Sequence, residues 1–477
     1  MSHRLDRRIF LESMGAALAG LAVPSWARAA AGPAPGGASR PNIVIILADD
    51  FGIDNVGAYG GAYATPTLDR LAAEGMRFEW AYCTPVCGPS RAQLMTGQYP
   101  FRNGGIDIDG TMSAATPPRA PSLPALLKSA GYATGMAGKW GQLQKKPGEW
   151  GVDRWMVATR GGGYYWRNSW LENDAEVTRD APVYFPDEMV NFTRRFIREH
   201  KDRPFFFFYS MKNPHVPLER TPDSAPDVTD QAQLYTDNIA HVDKQVRLLL
   251  EELDAQGLRD KTLVLFTGDN GSAFSKATIH GRRILGGKVQ MNNGGAHVPF
   301  LVRWPGFVKP GAVCPDLIDF TDIVPTLSEA AGVELPKSHV FDGRSFLPQL
   351  TGRPGAPREW VFVQMGHYYF VRNRRWQLNE SGVLCDLSDL PYEARPIPPD
   401  AAPPEARRAR EQLQAVLDRL NPRAGLTWDS WRGFGSRGPG KKPPKGAGGY
   451  ELQVPSREAP PPVAPEAGRD DKEEAVE

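Results

Sequence analysis

An uninterrupted apolar run within residues 42–50 restricts the fold of this chain more than any other feature. Between Ile43 and Ala48 no polar residue alternates with the apolar, largely β-branched ones, and the run ends in two aspartates. A strand that is apolar on both faces is typical of a parallel sheet covered by helices on both sides. Similar runs at residues 205–209, 262–267 and 299–303 predict further strands of one buried sheet.

Helical patterns separate these strands along the chain. Residues 66–75 begin with Pro and end with Gly, and residues 122–130 begin with a Ser that can cap a helix. Residues 234–253 form a long amphipathic pattern, and residues 321–331 form a shorter helical one. Strands that alternate with helices predict a doubly wound α/β fold, with a large mixed sheet flanked by helices on both faces.

The pattern changes after about Gly352. Short strand-like segments at 360–364, 368–372, 375–378 and 383–387 precede a helical pattern at 404–420. They predict a small antiparallel sheet packed by one helix. The predicted organisation is therefore an α/β domain at 40–352, an antiparallel-sheet subdomain at 353–434 and a disordered Gly- and Pro-rich tail at 435–477.

The N-terminus carries the pattern of an export signal. It has the twin arginines Arg7 and Arg8, an apolar run at 14–23 that is too short to span a membrane, and small residues at 27–29. Residues 1–30 are therefore predicted to be a Tat signal peptide. This predicts the Tat translocase as a partner and a periplasmic or secreted protein. No other segment of the sequence predicts a stable membrane span.

Charge and cysteine content exclude other classes of protein. The 56 Lys and Arg residues nearly balance the 55 Asp and Glu residues, whereas a nucleic-acid-binding protein normally carries a basic excess. Four cysteines are too few for a disulfide-scaffolded fold, and none of them has the spacing of a zinc site.

Two acidic pairs directly follow predicted strands. Asp49 and Asp50 end the first apolar run, and Asp269 and Asn270 follow the run at 262–267. Ligands of α/β sheets bind beyond the carboxyl ends of the strands, so these four side chains are predicted to converge. Their oxygen atoms suit Ca²⁺ or Mg²⁺ better than Zn²⁺. The alternative is that each pair only forms a turn or caps a helix, as Asp and Asn often do.

A second candidate site is the segment Cys87-Gly-Pro-Ser-Arg91. Pro89 lies where a helix would begin, so backbone N–H groups of this turn would face an anion. Arg91 adds several donors for a tetrahedral anion. A helix N-terminus would also lower the pKa of Cys87. The segment thus predicts a thiolate nucleophile or an anion site, and the alternative is a buried Cys before a helix.

Cys-x-Pro-Ser-Arg at 87–91, followed by Thr96-Gly97, resembles the maturation motif of the formylglycine-dependent sulfatases, which belong to the alkaline phosphatase superfamily. The resemblance extends over roughly residues 40–395. Further similar segments occur in the order of that family, at 42–50, 65–71, 138–140, 214–215, 267–271, 294–305, 342–345 and 384–392.

The resemblance implies a chemistry for these residues. A separate maturation enzyme would oxidise Cys87 to formylglycine, whose hydrate would attack the sulfur of a sulfate ester. A divalent cation, Ca²⁺ or alternatively Mg²⁺, would bind the matured Cys87 and the side chains of Asp49, Asp50, Asp269 and Asn270. Arg91 would steady the formylglycine, Lys139 and Lys288 would contact sulfate oxygens, and His215 would protonate the leaving oxygen.

Two positions depart from the pattern of that family. The family usually has a His directly after the Lys-Trp pair, whereas Lys139-Trp140 is followed here by Gly141 and Gln142. That His is thought to help release sulfate, so its absence predicts a slow release step. His297 stands where the family commonly has Arg, and Gln142 or His297 is a candidate to replace the missing His, although Gln cannot act as a base.

The function predicted by the resemblance is hydrolysis of sulfate monoesters of carbohydrates or aryl alcohols. The aromatic segment 161–166 and Trp170 would stack on a sugar or aryl group, or would simply be core residues. The first alternative is a phosphonate or phosphate monoester hydrolase, because phosphorus and sulfur oxyanions fit the same donors. The second is a non-catalytic binder of sulfated glycans, which the missing His motivates.

Overall fold

The structure, a computed structural model, describes residues 40–106, 121–140, 143, 145–159, 162–273, 278–284 and 287–424. These residues belong to one compact unit of the chain. The predicted signal peptide and the predicted Gly- and Pro-rich tail lie outside them, as does Gln142. Over these ranges no helix combines the length and the apolar character that a membrane crossing requires.

Most strands belong to one large sheet. In chain order they begin with β1 (Asn42–Ala48), β2 (Met76–Tyr82), β3 (Ala133–Gly138), β4 (Arg154–Ala158), β5 (Trp166–Glu172), β6 (Ala175–Tyr184), β7 (Phe205–Ser210) and β8 (Thr262–Gly268). A separate short hairpin is formed by β9 (Thr278–Ile279) and β10 (Arg282–Arg283). The large sheet then continues with β11 (His297–Val298), β12 (Phe300–Arg303) and β13 (Ala312–Asp319).

The strand order of the large sheet is β11-β2-β12-β8-β1-β7-β3-β4-β5-β6, with β13 paired to β2. Strands β8, β1, β7, β3 and β4 are parallel, and Ile45 of β1 lies between Phe208 and Leu265. Strand β12, the fourth of the predicted buried strands, runs antiparallel to β8. The prediction of a large mixed sheet is therefore confirmed.

The helices are α1 (Pro66–Glu74), α2 (Cys87–Thr96), α3 (Pro100–Asn103), α4 (Leu123–Ser129), α5 (Phe185–His200), α6 (Gln231–Ala255), α7 (Asn293–Ala296), α8 (Ile323–Ala330), α9 (Leu347–Thr351) and α10 (Pro404–Leu420). The two faces of the large sheet are covered by α1, α2, α4, α5, α6, α8 and α9. One core contains Ile43 and Ile45 of β1 with residues of α2, α4, α8 and α9. The other contains Val44 and Ile46 with residues of α1, α5 and α6. Burial on both faces explains why β1 is apolar throughout.

The C-terminal part forms a separate five-stranded antiparallel sheet. Its strands are β14 (Val361–Met365), β15 (Tyr368–Arg372), β16 (Trp376–Asn379), β17 (Leu384–Asp389) and β18 (Glu393–Pro396), in this spatial order. Helix α10 packs on it through a core that includes Phe362, Leu378 and Leu413. The predicted small sheet with one covering helix is confirmed, whereas the domain boundaries at 352 and 434 stay predictions.

Several elements of the large sheet were not predicted. Strand β3 has the sequence Ala-Thr-Gly-Met-Ala-Gly and thus little β-branched character. Strand β6 lies at the edge of the sheet and is mostly exposed, and its polar and apolar residues are mixed without alternation. Both patterns resemble loops when the sequence is considered alone.

Candidate active site

The ends of β1 and β8 bring the two acidic pairs together. These strands are parallel neighbours, so the residues that follow them lie at the same edge of the sheet. The backbone N–H of Asp50 donates to Oδ1 of Asp269 at 3.0 Å, and Nδ2 of Asn270 donates to Oδ1 of Asp50 at 2.9 Å. The structure therefore brings together all four predicted metal ligands of the two pairs, and all four are fully buried.

Cys87 is the first residue of α2 and faces this cluster. Its sulfur and carboxylate oxygens of Asp49 and Asp269 lie within 4.8 Å of one another. Burial raises the pKa of the thiol above its ordinary value, and the opposing influence of Lys139 and Lys288 does not offset it. The predicted lowering of this pKa by the helix N-terminus is therefore wrong for the unmodified residue, because burial outweighs it.

Arg91 of α2 holds the other side of the cluster. Its Nε and one terminal nitrogen donate to Oδ2 of Asp269 at 3.0 and 2.7 Å. The other terminal nitrogen donates to the carbonyl oxygen of Lys139 at 3.0 Å and to the hydroxyl of Ser210. Burial by itself would lower the pKa of Arg91, but Asp269 and Asp49 outweigh it and raise the pKa. Arg91 is thus a permanently charged and rigidly held side chain.

Two lysines reach the same carboxylates from the open side of the cluster. Nζ of Lys139, directly after β3, lies 2.6 Å from Oδ2 of Asp49, and Nζ of Lys288 lies 2.8 Å from Oδ1 of Asp50. Their side chains keep 12% and 13% of their surface exposed, whereas the two aspartates keep none. Burial disfavours their charge, but the carboxylates outweigh it and raise the pKa of both lysines. Both ammonium groups therefore border the space above the carboxylates.

His215 follows β7 and lies beside Asp50. Its Nε2 is 3.9 Å from Oδ2 of Asp50, and its Nδ1 contacts the carbonyl oxygen of Val216. Burial and the neighbouring Lys139 lower the pKa of His215 to about 4, so the ring is neutral at pH 7 in the structure. The ring also stacks on Tyr164, with centroids 5.4 Å apart.

The aromatic segment contributes residues of different kinds. Tyr165 and Trp170 are buried, which favours the core interpretation for both. The hydroxyl of Tyr165 donates to the carbonyl oxygens of His215 and Lys212, at 2.6 and 3.0 Å. The hydroxyl of Tyr164 donates to Oδ2 of Asp49 at 3.4 Å. Tyr164 therefore lines the cluster, and Tyr165 fixes the loop that carries His215.

Comparisons with known proteins decide the family. The family model described as Sulfatase matches residues 41–333. A second model, described as N-sulphoglucosamine sulphohydrolase, C-terminal, matches residues 285–384. The chain belongs to the sulfatase family. The sulfatase is therefore an enzyme that hydrolyses sulfate esters, and the resemblance stated from its motifs is confirmed.

Individual relatives agree with this assignment. Human N-acetylgalactosamine-6-sulfatase is 33% identical to this chain. The match covers 66% of this chain and 67% of the human protein. Mouse steryl-sulfatase is 28% identical over 89% of the chain and 90% of its own length. The crystal structure of Ps i-CgsB superimposes with a TM-score of 0.69 at 24% identity, covering 82% of this chain and 94% of that one, and it supports the fold.

His297 of the sulfatase lies in a different environment from the cluster at the ends of β1 and β8. Its ring stacks on Trp80 and on Tyr82, with centroids 5.4 and 5.1 Å apart. Its Nε2 contacts the carbonyl oxygen of Glu79 at 2.8 Å, and its Nδ1 contacts Asn293 at 3.3 Å. Because both ring nitrogens are already engaged, His297 does not supply the missing base. His241, a buried histidine of α6, contacts Asp187 and Asp223 and is structural.

We call the group around His297 the interface cluster, defined as Trp80, Tyr82, Asn293, His297 and Arg372. Arg372 belongs to β15 of the small sheet, and it donates to the hydroxyl of Tyr82 and, at 3.4 Å, to Oδ1 of Asn293. Its guanidinium lies 4.7 Å from the centre of the Tyr82 ring. The interface cluster therefore joins the small sheet to strand β2 of the large one.

Glycines allow the backbone to approach closely beside two of the site residues. Gly138 precedes Lys139 and has a φ of 112°, and a Cβ atom there would overlap with the carbonyl oxygen of Ser210. Gly271 follows Asn270, and a Cβ atom there would overlap with the carbonyl oxygen of Gly294. At both positions only a residue without a side chain fits.

The acidic cluster of the sulfatase fits a divalent cation. Within the described part of the chain, Oδ1 of Asp49 and Oδ1 of Asn270 are buried without a hydrogen-bond partner. Such orphaned buried oxygens are costly unless a ligand satisfies them. Burial, and after it the charge of Asp49, also raise the pKa of Asp269 to about 7, so its negative charge is disfavoured without a bound cation. A cation bound by these oxygens would remove both penalties, and hard oxygen donors suit Ca²⁺ or Mg²⁺.

Sequence reasoning missed two polar residues at the end of β7. Ser210 is buried and fixes both Arg91 and the backbone of Lys139, since its hydroxyl donates to the Lys139 carbonyl oxygen at 2.6 Å. Lys212 lies two residues farther on, with its Nζ 3.6 Å from the centre of the Tyr164 ring. Ser210 ends a buried strand and Lys212 follows it, but this position at the carboxyl edge of the sheet is a weak signal, because many ordinary residues share it.

Proposed function

We propose that this sulfatase cleaves sulfate monoesters of carbohydrates with Cys87, matured to formylglycine, as the nucleophile. The observation that supports this most is the placement of the Cys87 sulfur within 4.8 Å of carboxylate oxygens of Asp49 and Asp269. A nucleophile at that point is surrounded by Arg91, Lys139 and Lys288, which suit a transferring sulfuryl group. A maturation enzyme would have to act on Cys87 before the fold buries it.

The bound groups would supply the covalent and Lewis-acid part of the chemistry. A formylglycine hydrate provides an oxygen nucleophile, and a divalent cation lowers the energy of the negative charge that accumulates during transfer. Asp49, Asp50, Asp269, Asn270 and the matured residue 87 would hold the cation. We propose Ca²⁺, with Mg²⁺ as the alternative, because all protein donors are oxygens in a site that is already assembled.

The three cationic side chains around residue 87 have different roles in binding and orientation. Arg91 is tied to Asp269 and Ser210, so it can steady residue 87 without moving. Lys139 and Lys288 end at the open side of the cluster, where their ammonium groups would bind two sulfate oxygens. Because both lysines are already placed by Asp49 and Asp50, little reorganisation is needed when the substrate arrives.

His215 would protonate the leaving oxygen. It borders the same open side, next to Asp50, and Tyr165 and Val216 fix its loop and ring. Its pKa is lowered to about 4, mainly by burial and Lys139. The negative charge of a bound sulfate ester would raise this pKa, since a nearby anion favours the imidazolium form. The proton would then be available on Nε2 when the ester bond breaks.

Release of sulfate, the second half of the reaction, would lack the histidine base that the family usually supplies. The family His is absent after Lys139-Trp140, Gln142 lies outside the described residues, and His297 is engaged elsewhere. We therefore keep the prediction that release of sulfate is slow. Pre-steady-state kinetics would then show a burst of alcohol, followed by a slower steady rate.

A sulfated carbohydrate is the proposed substrate class. Relatives named N-acetylgalactosamine-6-sulfatase support it, and structures of similar fold were solved with k-i-k-neocarrahexaose and with D-glucosamine-2-N,6-O-disulfate. Trp166, which follows Tyr164 and Tyr165 in the chain, is 37% exposed and would stack on a sugar ring. The twin arginines and the apolar run at the N-terminus support Tat export and a periplasmic or secreted location.

The proposal is tested on protein from its native host, with Cys83 as an internal control. The tryptic peptide 78–91 contains both cysteines, so its fragment spectrum shows which one has exchanged sulfur for an aldehyde oxygen. We expect conversion at Cys87 alone. Cys87→Ala should abolish release of inorganic sulfate, whereas Cys83→Ala should retain it. An unmodified Cys87 in a preparation that turns over would contradict the proposal.

The assay also separates the alternative chemistry. Paired sulfate and phosphate esters of the same alcohol should favour the sulfate. Phosphate monoesters carry one more negative charge, and Arg91, Lys139 and Lys288 are already offset by three carboxylates. Faster release of phosphate would favour a phosphate monoester hydrolase instead.

A further inference from the structure

One buried cation beside the active site has a different environment from the others. Lys212 is only 6% exposed, and its Nζ lies 3.6 Å from the centre of the Tyr164 ring. Across the described ranges, no carboxylate forms an ion pair with it. Lys139 and Lys288, by contrast, each contact an aspartate within 3 Å.

An ammonium group in such a place is costly. Burial lowers the pKa of Lys212 to about 7, and the neighbouring cations Lys139 and Arg167 add to this effect. The cation–π contact with Tyr164 offsets only part of the lost hydration. A Met or Leu would fill the same space without this cost, so the amine is explained best by a ligand that brings its own negative charge.

The position of Lys212 relative to the scissile group follows from Tyr164. The hydroxyl of Tyr164 donates to Asp49, which holds Lys139, whereas the ring contacts Lys212. The same ring stacks on His215, the proposed acid for the leaving oxygen. Lys212 is therefore separated from the sulfate-binding lysines by one tyrosine side chain, on the side where the alcohol portion of the substrate would lie.

We propose that Lys212 is a specificity-determining residue that binds a second anionic group, a carboxylate or a further sulfate, on the alcohol portion next to the scissile ester. This inference rests on the proposed function. The second anion would replace the missing counter-charge of Lys212 and form a charge-assisted hydrogen bond with its Nζ. Tyr164 would act as the spacer between the two anion positions, and its ring contacts with Lys212 and His215 replace the predicted role of stacking on a sugar.

The test uses three esters that differ in one substituent. They are 4-nitrophenyl sulfates that carry, at position 2, a neutral carboxamide, a carboxylate or a sulfonate as a stand-in for sulfate. The measured quantity is kcat/KM for each anionic ester divided by kcat/KM for the carboxamide. When this ratio is compared between wild type and a variant, effects of the substitution that are common to all three esters cancel. The matured wild-type enzyme should prefer at least one anionic ester, and the two anionic arms show which anion is accepted.

Lys212→Met should reduce that ratio by about tenfold or more, since a hydrogen bond to a charged group contributes about 1.5–3 kcal/mol. The loss should appear mainly in KM. Lys212→Arg, which keeps the charge, should retain most of the preference. Lys146→Met is the matched control, because Lys146 is an exposed lysine paired with Asp174, and its ratio should equal that of the wild type.

The outcomes separate this inference from the proposed function. An equal loss for all three esters, or an unchanged ratio in Lys212→Met, would overturn the specificity role while sulfatase activity remained. Release of sulfate neither from these esters nor from a sulfated monosaccharide by matured wild-type enzyme would instead overturn the proposed function, and the role of Lys212 with it. If Lys212→Met does not fold, Lys212→Gln keeps the polarity without the charge and decides between the same outcomes.

Discussion

Two fully buried arginines, Arg91 and Arg372, occupy two different regions of this sulfatase. Arg91 in the active site donates twice to the Asp269 carboxylate, which together with Asp49 raises its pKa despite burial. Arg372 in the interface cluster meets hydroxyl, amide and carbonyl oxygens and two aromatic rings, and burial lowers its pKa. The two regions thus solve the burial of a guanidinium in opposite ways.

The difference shows which observation points to function. Burial of a charged group is common to both regions and does not distinguish them. The active site adds carboxylates at the carboxyl ends of parallel strands, orphaned oxygens and lysines that reach an open side. The interface cluster contains no carboxylate: Arg372 meets neutral oxygens, although Nε1 of Trp80 is also buried without a hydrogen-bond partner among the described residues. The predictions below test this distinction.

The largest effect is expected for Asp269→Asn. This change leaves buried Arg91 with only Asp49, at 3.9 Å, as a counter-charge, which should lower the free energy of unfolding by about 3–5 kcal/mol, and it removes a proposed metal ligand. Urea denaturation and sulfate release measure the two consequences. Arg372→Met is the comparison, because it strands no charge and should cost only about 1–3 kcal/mol while activity remains. Equal losses of stability and activity in both variants would show that the two buried arginines do not differ in this way.

His215→Asn should reduce kcat/KM by about 100-fold for esters of poorly acidic alcohols such as sugars. The reduction should be much smaller for 4-nitrophenyl sulfate, because its leaving group departs without a proton. A plot of log kcat/KM against the pKa of the leaving alcohol should therefore be steeper for the variant. Parallel plots for wild type and variant would show that His215 is not the acid.

Removal of the divalent cation should lower stability through the active site and not through the interface cluster. Ca²⁺ at 100 times its dissociation constant should raise the free energy of unfolding by about 2.7 kcal/mol relative to chelated protein. Thermal unfolding with and without chelator measures the increment. Arg372→Met should keep it in full, whereas Asp269→Asn should lose it. An increment that survives in Asp269→Asn would place the cation elsewhere.

The interface cluster should make the free energy of unfolding depend on pH through His297. Burial and Arg372 lower the pKa of His297 to about 3, whereas the unfolded chain titrates at the ordinary value of 6.5. Below pH 6.5 the unfolded state binds the proton and the folded state does not, so this stability is lost as the pH falls. The loss should be about 2 kcal/mol between pH 6.5 and 5.

His297→Phe should flatten this part of the stability curve, as measured by urea denaturation at each pH. His215, whose pKa is lowered to about 4, contributes a second decrease over the same window. The slope should therefore become shallower without vanishing. A slope identical to that of the wild type would mean that His297 is protonated in the folded state.

Much of the site could be predicted because its residues follow strands with strong patterns. Asp49 and Asp269 end apolar runs, and Cys87 and Arg91 belong to a specific motif. Lys212 and Ser210 could not be predicted, since a lysine or serine after a strand is ordinary until a neighbouring tyrosine and arginine are seen in space. The pKa of Cys87 was predicted in the wrong direction because sequence shows a helix start but not the depth of burial.

The fold shows the same division. Strands buried on both faces, such as β1 and β8, were predicted from their apolar runs. Strands β3 and β6 were not, because glycines and alanines in β3 and the exposed mixture of polar and apolar residues in β6 give no periodic signal. His297 illustrates the limit for single residues, since nothing in the sequence tells that two rings enclose it.

The two glycines beside the site affect how variant-effect data on this enzyme should be interpreted. In a saturation mutagenesis screen, Gly138 and Gly271 should tolerate no replacement, and their profiles should match those of the metal ligands. Neither has a side chain that could take part in chemistry. Such a screen would therefore report the space that the backbone needs around Lys139 and Asn270 as if it were catalytic function.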